Sequence, residues 1–319
     1  MTRADRWLLP DGIEEVLPPQ ARRIEHLRRH LLDLLDGWGY DLVMPPALEY
    51  LDSLLTGTAK DLDLRTFKVT DQLSGRMMGL SADTTPQVAR IDAHSLAPEG
   101  VSRLCYCRTV FHAKAGSLLA SRTPTQIGAE LYGETGSGAD TEIISLMVAM
   151  LDAAGVQQVH LDIGHVGVFR ALAAQADLSA DQQAELFDLL KLKCASDIDA
   201  WAAREVRDPV LAAAFARLIR LQGTPAQLES ALQELAQQVP STAAALADIR
   251  RVAGNLAQRC PQTPIYFDLS ELRGYHYHTG LVFAAYIPGY GDAIAQGGRY
   301  DETGAVFGRA RPATGFSAD

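Results

Sequence analysis

The chain has 319 residues, enough for one large domain or two ordinary ones, and 47% hydrophobic with 21% charged residues is an ordinary globular composition. A formal charge of −10, from 29 basic and 39 acidic residues with only five lysines, argues against nucleic acid, whose binding rests on clustered basic side chains. No run approaches the roughly 18 apolar residues of a membrane span, no apolar stretch follows Met1-Thr-Arg-Ala-Asp-Arg6 to make a secretory signal, and the expected location is the cytoplasm.

The first element is a helix, in which Ile24, Leu27, Leu31, Leu34 and Trp38 recur at three- and four-residue steps until Gly37 and Gly39 end it. Asp41 to Pro46 reads as a short strand stopped by two prolines, which suit an edge or an interface. Phe67-Lys-Val69 and Met77 to Leu80 flank a Ser74-Gly75 turn, Thr84 to Ala93 is a short helix, and Arg103 to Phe111 is a strand. After a loop from Ala113 to Pro124 the chain returns as a strand over Thr125 to Gly133, making a long-looped antiparallel hairpin. Thr141 to Ala154 is an apolar helix and Val159 to Ile163 a further strand.

Composition shifts at about Val166, and from there to Gln262 the chain is rich in Ala, Leu and Gln with almost no strand signal. Ser179-x-x-Gln182 and Thr224-Pro-x-Gln227 are capping-box starts of helices. Residues 166–262 are therefore expected to be a helical insertion in an α+β core formed by 1–165 and 263–319. Strand signal resumes at Pro264 to Leu269, and Arg311 to Asp319 reads as a loop turning into a helix cut short, as in a truncated chain. Cys105, Cys107, Cys194 and Cys260 are too few and too irregularly spaced for a disulfide framework or a metal site; Cys105 and Cys107 share one strand face as small apolar residues.

The densest chemistry lies in Arg273-Gly-Tyr-His-Tyr-His-Thr-Gly280 and Gln296-Gly-Gly-Arg-Tyr-Asp301, on either side of the apolar run Leu281 to Ile287. So many hydrogen-bonding groups beside an apolar strand are costly to bury unless they face one another or a ligand. Asp83 and Thr85 stand at a helix start, where capping alone would explain a carboxylate or hydroxyl. Gln126 and Glu130, four apart on one strand, share a face with Gly128. Together these residues describe a pocket for a small zwitterion. Asp83 and Glu130 suit an ammonium or imidazole N–H, Arg273 suits a carboxylate, and Tyr275, Tyr277 and Tyr300 offer hydroxyls and ring faces.

These motifs, in this order, resemble the catalytic core of class II histidyl-tRNA synthetase and, more closely, its paralogue, the regulatory subunit of ATP phosphoribosyltransferase. The landmarks are Gly39 to Pro46, Leu80 to Arg90, Arg103 to Gly133, Arg273 to Gly280, Gln296 to Asp301 and Gly308 to Asp319. The resemblance implies an antiparallel sheet flanked by helices, dimerising through the first landmark. It implies that Asp83, Thr85, Gln126, Glu130, Arg273 and Tyr300 contact histidine, with His112 and His278 at two further contact positions of changed chemistry. Departures choose between the relatives. Where a synthetase has an Arg for the ATP α-phosphate and then a Glu, this chain has His112-Ala-Lys114, and a synthetase's Arg-Gly-Leu-Asp is Arg273-Gly-Tyr-His276. A histidine of ordinary pKa is mostly neutral at pH 7, so a fixed charge on the reacting phosphate is absent unless Arg108 or Arg122 supplies it. The resemblance thus implies a non-catalytic subunit with no cofactor, no metal and no catalytic residue. It would bind L-histidine as effector and partner the short-form catalytic subunit of ATP phosphoribosyltransferase. The alternative is a synthetase-like enzyme that adenylates an amino acid.

Overall fold

The structure, a computed structural model, describes residues 7–56, 60–116, 120–272, 274–275 and 277–319. It divides into two compact units: Met1–Gly133 with Thr303–Arg311 and Ser317–Asp319, and Glu134–Glu302 with Pro312–Phe316.

In the first unit, helix α1 (Gln20–Gly37) is followed by β1 (Asp41–Leu42), β2 (Leu48–Tyr50), the short helices α2 (Leu51–Leu54) and α3 (Lys60–Arg65), and the strands β3 (Phe67–Thr70) and β4 (Met77–Leu80). Next come α4 (Thr85–Arg90), prolonged by a π-helical turn over Ile91–Leu96, and the strands β5 (Ser102–Thr109) and β6 (Thr125–Tyr132). The β3–β4 hairpin closes as its Ser74-Gly75 turn predicts: Gly75 takes φ +72°, and Asp71 accepts from the backbone N–H groups of Leu73 and Ser74. β1 is an edge strand, in keeping with the prolines behind it. β5 and β6 form the expected antiparallel hairpin, with Tyr106 opposite Gly128. Of the apolar series on α1 only Leu31 enters the core, joined by Leu35, while Ile24, Leu27 and Trp38 stay exposed.

In the second unit, α5 (Ser137–Ala153) and β7 (His160–His165) precede a helical run of α6 (Val166–Gln175), α7 (Ala180–Leu192), α8 (Ala195–Glu205), α9 (Pro209–Leu218), α10 (Pro225–Gln238) and α11 (Ala243–Arg259). A two-residue strand, β8 (Gln222–Gly223), interrupts it, and β9 (Ile265–Asp268), β10 (Leu281–Tyr286), β11 (Ala295–Arg299) and β12 (Ala313–Ala318) follow. Both capping boxes form as read, Ser179 with Gln182 and Thr224 with Gln227. Phe215 packs edge-on against Phe169 and Trp201, so the helices share an aromatic core.

Two expectations need correcting. The sheet is mixed, because β1 pairs parallel to β5 and β7 parallel to β9. Period-two patterns are blind to strand direction, and the helices between β7 and β9 give the chain the length a parallel crossover needs. The stretch read as a loop entering a helix is strand β12, with Ala313, Thr314, Gly315 and Phe316 all buried. Small residues around one Phe gave no helical or strand period to read.

β7 ends in a titratable cap. His165 Nδ1 accepts from Gly167 N at 3.0 Å, starting α6, and burial lowers the imidazole from 6.5 to about 4. The unfolded chain therefore takes up this proton first. Stability is complete above about pH 6.5 and falls as the pH drops towards about 4, by about 3 kcal/mol in all. His165→Asn keeps an acceptor for Gly167 and should flatten this slope in urea titrations at about pH 4.5 and about pH 7.5. An unchanged slope would contradict the assignment.

Candidate functional site

On the first unit the structure brings Asp83, Thr85, His112, Gln126 and Glu130 into one polar cluster. Glu130 is 1% exposed, and its Oε1 accepts from the Thr85 hydroxyl at 2.9 Å and the Tyr106 hydroxyl at 3.2 Å. Burial, with Glu130 second, pushes the Tyr106 phenol well above its ordinary value, so it stays a donor. Tyr106 was not among the residues the sequence singled out. The hairpin register holds the signal: it stands opposite Gly128, on the face of Gln126 and Glu130.

Helix capping accounts for only part of this turn. Thr84 has the N-cap position, but its side chain caps nothing; its backbone N–H donates to Gln126 Oε1 at 2.9 Å. Asp83 Oδ1 accepts from Thr85 N at 3.3 Å, and its carboxyl is raised, chiefly by burial. Gln126 therefore ties the helix start to β6.

His112 is buried, with Nε2 2.8 Å from Arg65 Nη2 and 3.1 Å from the carbonyl of Ala82. A guanidinium only donates and a carbonyl only accepts, so Nε2 serves one partner at a time. Accepting from Arg65 requires a neutral ring protonated on Nδ1. Burial, reinforced by Arg65, lowers the pKa and favours that state. The two arginines considered as replacements for a charge at 112 are engaged with backbone. Arg108 Nη1 donates to the carbonyls of Pro45 at 2.8 Å and Pro46 at 3.1 Å. Arg122 donates to the carbonyls of His112 at 3.0 Å and Asp11 at 3.1 Å.

On the second unit Tyr277 stacks on Tyr300 with ring centroids 5.0 Å apart and meets His278 edge-on at 5.2 Å. Tyr275 is placed differently. Its ring packs against Phe169 and Phe187, and its hydroxyl donates to Gln183 at 3.0 Å. Arg273 lies outside the described residues. Arg170, which carried no motif, donates from Nη2 to the carbonyls of Tyr275 at 3.0 Å and His278 at 2.8 Å, and so fixes this segment. The paired glycines of the second motif are explained by contact. A Cβ on Gly297 would fall on the Gly315 carbonyl, and one on Gly298 would lie 2.7 Å from His278 Nδ1. Arg299 is buried and used internally, by Asp140, Asp301 and the carbonyls of Glu134 and Gly136. Among the described residues no group of three His, Cys, Asp or Glu could hold a metal ion, and no helix is long and apolar enough to cross a membrane.

The geometry at residue 112 sets a measurable charge state. In NMR pH titrations the His112 imidazole should titrate below 6.5, and Arg65→Gln should move its midpoint upward by removing the adjacent cation. A midpoint above 6.5 in the unmodified chain would show that residue 112 carries charge after all.

Residues 12–319 match the sequence profile of the histidyl-tRNA synthetase family. The ATP phosphoribosyltransferase regulatory subunit of Chromohalobacter salexigens is 57% identical over the whole of this chain and 81% of its own length. That of Pseudomonas syringae pv. tomato is 56% identical over all of this chain and 80% of its own. The crystal structure of an ATP phosphoribosyltransferase regulatory subunit/histidyl-tRNA synthetase from Bacillus halodurans superposes with a TM-score of 0.87 at 28% identity, covering 98% of this chain and 81% of that one. A chain of the ATP phosphoribosyl transferase (HisG:HisZ) complex from Thermotoga maritima shares the fold, with a TM-score of 0.70 at 17% identity, over 96% of this chain and 98% of its own. With its class II synthetase-like α+β fold, the chain belongs to the ATP phosphoribosyltransferase regulatory subunits, a branch of the histidyl-tRNA synthetase family.

Proposed function

We propose that this chain is a non-catalytic, cytoplasmic histidine sensor. It binds the short-form catalytic subunit of ATP phosphoribosyltransferase, is required for its activity in the first step of histidine biosynthesis, and transmits feedback inhibition when histidine binds. The observation that carries this reading is the contrast within the first unit. The amino-acid side of the cluster is built and buried, with Glu130 held by Thr85 and Tyr106. The phosphate side has a buried histidine of lowered pKa where a synthetase has a fixed charge. Losing one such electrostatic contact typically costs about 10²–10³ in rate. Asp83, Thr85, Gln126 and Glu130 would bind histidine with His112 beside them. The roles of Arg273, Tyr275, Tyr277, His278 and Tyr300 in binding rest on the resemblance of their motifs. Residues 166–262 remain our candidate for a helical insertion on the class II core.

Feedback requires that histidine bind two assembly states unequally, since equal binding shifts no equilibrium. A difference of about 1–3 kcal/mol suffices. Self-association is the natural use of the side chains left exposed on and after α1, namely Ile24, Leu27, Trp38, Leu42 and Met44. In light scattering the unmodified chain should have the mass of a dimer and Trp38→Asp that of a monomer. An unchanged mass would place the interface elsewhere.

One observation favours the adenylating alternative: Arg65 stands 2.8 Å from His112, so a cation remains near the phosphate position. Calorimetry separates the two readings. L-histidine should bind without ATP, and Glu130→Ala should weaken it by about 1–3 kcal/mol by leaving a ligand donor unpaired. ATP binding that histidine strengthens would move the enzyme to the front, and unchanged affinity in Glu130→Ala would misplace the site.

A further inference from the structure

We infer that Arg65 holds the carboxylate of the bound amino acid, with His112 as the residue that orients it. This rests on the histidine reading above, names a binding residue that no motif marks, and gives to Arg65 the carboxylate for which the sequence offered Arg273. Backbone contacts set the position before any side chain does. Ala113 N donates to the Arg65 carbonyl at 2.7 Å, and Thr66 and His112 form an antiparallel bridge. Arg65 at the end of α3 is thereby tied to the strand end that carries residue 112.

The side chains then divide two tasks. A neutral imidazole accepts one N–H of the guanidinium at 2.8 Å without itself neutralising the charge, as a directly bonded carboxylate would. Among the described residues, the hydrogen bonds of this guanidinium go to His112. The Arg65 residue is exposed, so the donors that His112 does not take face solvent. Its planar fork matches a carboxylate in a way a single imidazole N–H cannot. The carboxylates of Asp83 and Asp319 lie within its electrostatic range. The cluster thus presents one cation beside acids suited to an ammonium, the arrangement that an α-amino acid complements. A ligand with an ammonium but no carboxylate would leave Arg65 unused.

The test is calorimetry of the full chain with L-histidine and with histamine, which is the same molecule without the carboxylate. The unmodified chain should prefer L-histidine by about tenfold or more, one charge-assisted contact. Arg65→Gln should bring L-histidine down to the affinity of histamine and leave histamine unchanged, and Arg65→Lys should keep part of the preference. An unchanged histidine-to-histamine ratio in Arg65→Gln would overturn the assignment while leaving the histidine site standing. Equal weakening of both ligands would reduce Arg65 to a structural role and also overturn it. Loss of ATP affinity in place of histidine affinity would assign the guanidinium to a phosphate. Failure of the unmodified chain to bind L-histidine would overturn the sensor reading, and this assignment with it.

Discussion

A carboxylate at 1% exposure constrains everything around it. Glu130 lies in the middle of the β5–β6 hairpin, far enough from water that its hydrogen bonds must come from protein. Two of them come from Thr85 at the start of α4 and Tyr106 on the neighbouring strand. One buried acid therefore fixes where the helix begins relative to the strands and which hydroxyls point inward. Gln126, two pleat repeats away on the same face, extends the same arrangement by receiving the N–H of Thr84. A slip of one residue in the hairpin would turn both side chains to the other face and dissolve the cluster.

Where local chemistry decided the structure, it could be read in advance. The Ser74-Gly75 turn, the capping boxes at Ser179 and Thr224, and the Gln126–Glu130 spacing each depend on residues a few positions apart, and each formed as expected. What escaped depends on partners distant in sequence. Nothing near Tyr106 says that a glycine will stand across from it, and nothing near Arg65 announces a histidine 47 residues on. Arg170 sits in a helical stretch with no motif, yet its partners are carbonyls more than 100 residues later. Strand β12 was misread for a different reason: alanine, threonine and serine around one Phe follow neither helical nor strand periodicity.

The same distinction separates the two functional readings. Residues that hold each other by hydrogen bonds, as Glu130, Thr85 and Tyr106 do, are satisfied in the folded state without any ATP chemistry. A residue whose task is to stabilise a reacting phosphate has no such second employment. Replacing it by His112 leaves a group that burial keeps neutral and that serves the fold by bridging the strand end to α3.

Arg170 has a further consequence for motion. A single guanidinium on α6 grips two carbonyls, those of Tyr275 and His278. The Tyr275 ring is wedged between Phe169 of the same helix and Phe187 of α7. Displacing either carbonyl by even an ångström strains a charge-assisted bond to Arg170, so the backbone at Tyr275 and at His278 is mechanically coupled to α6.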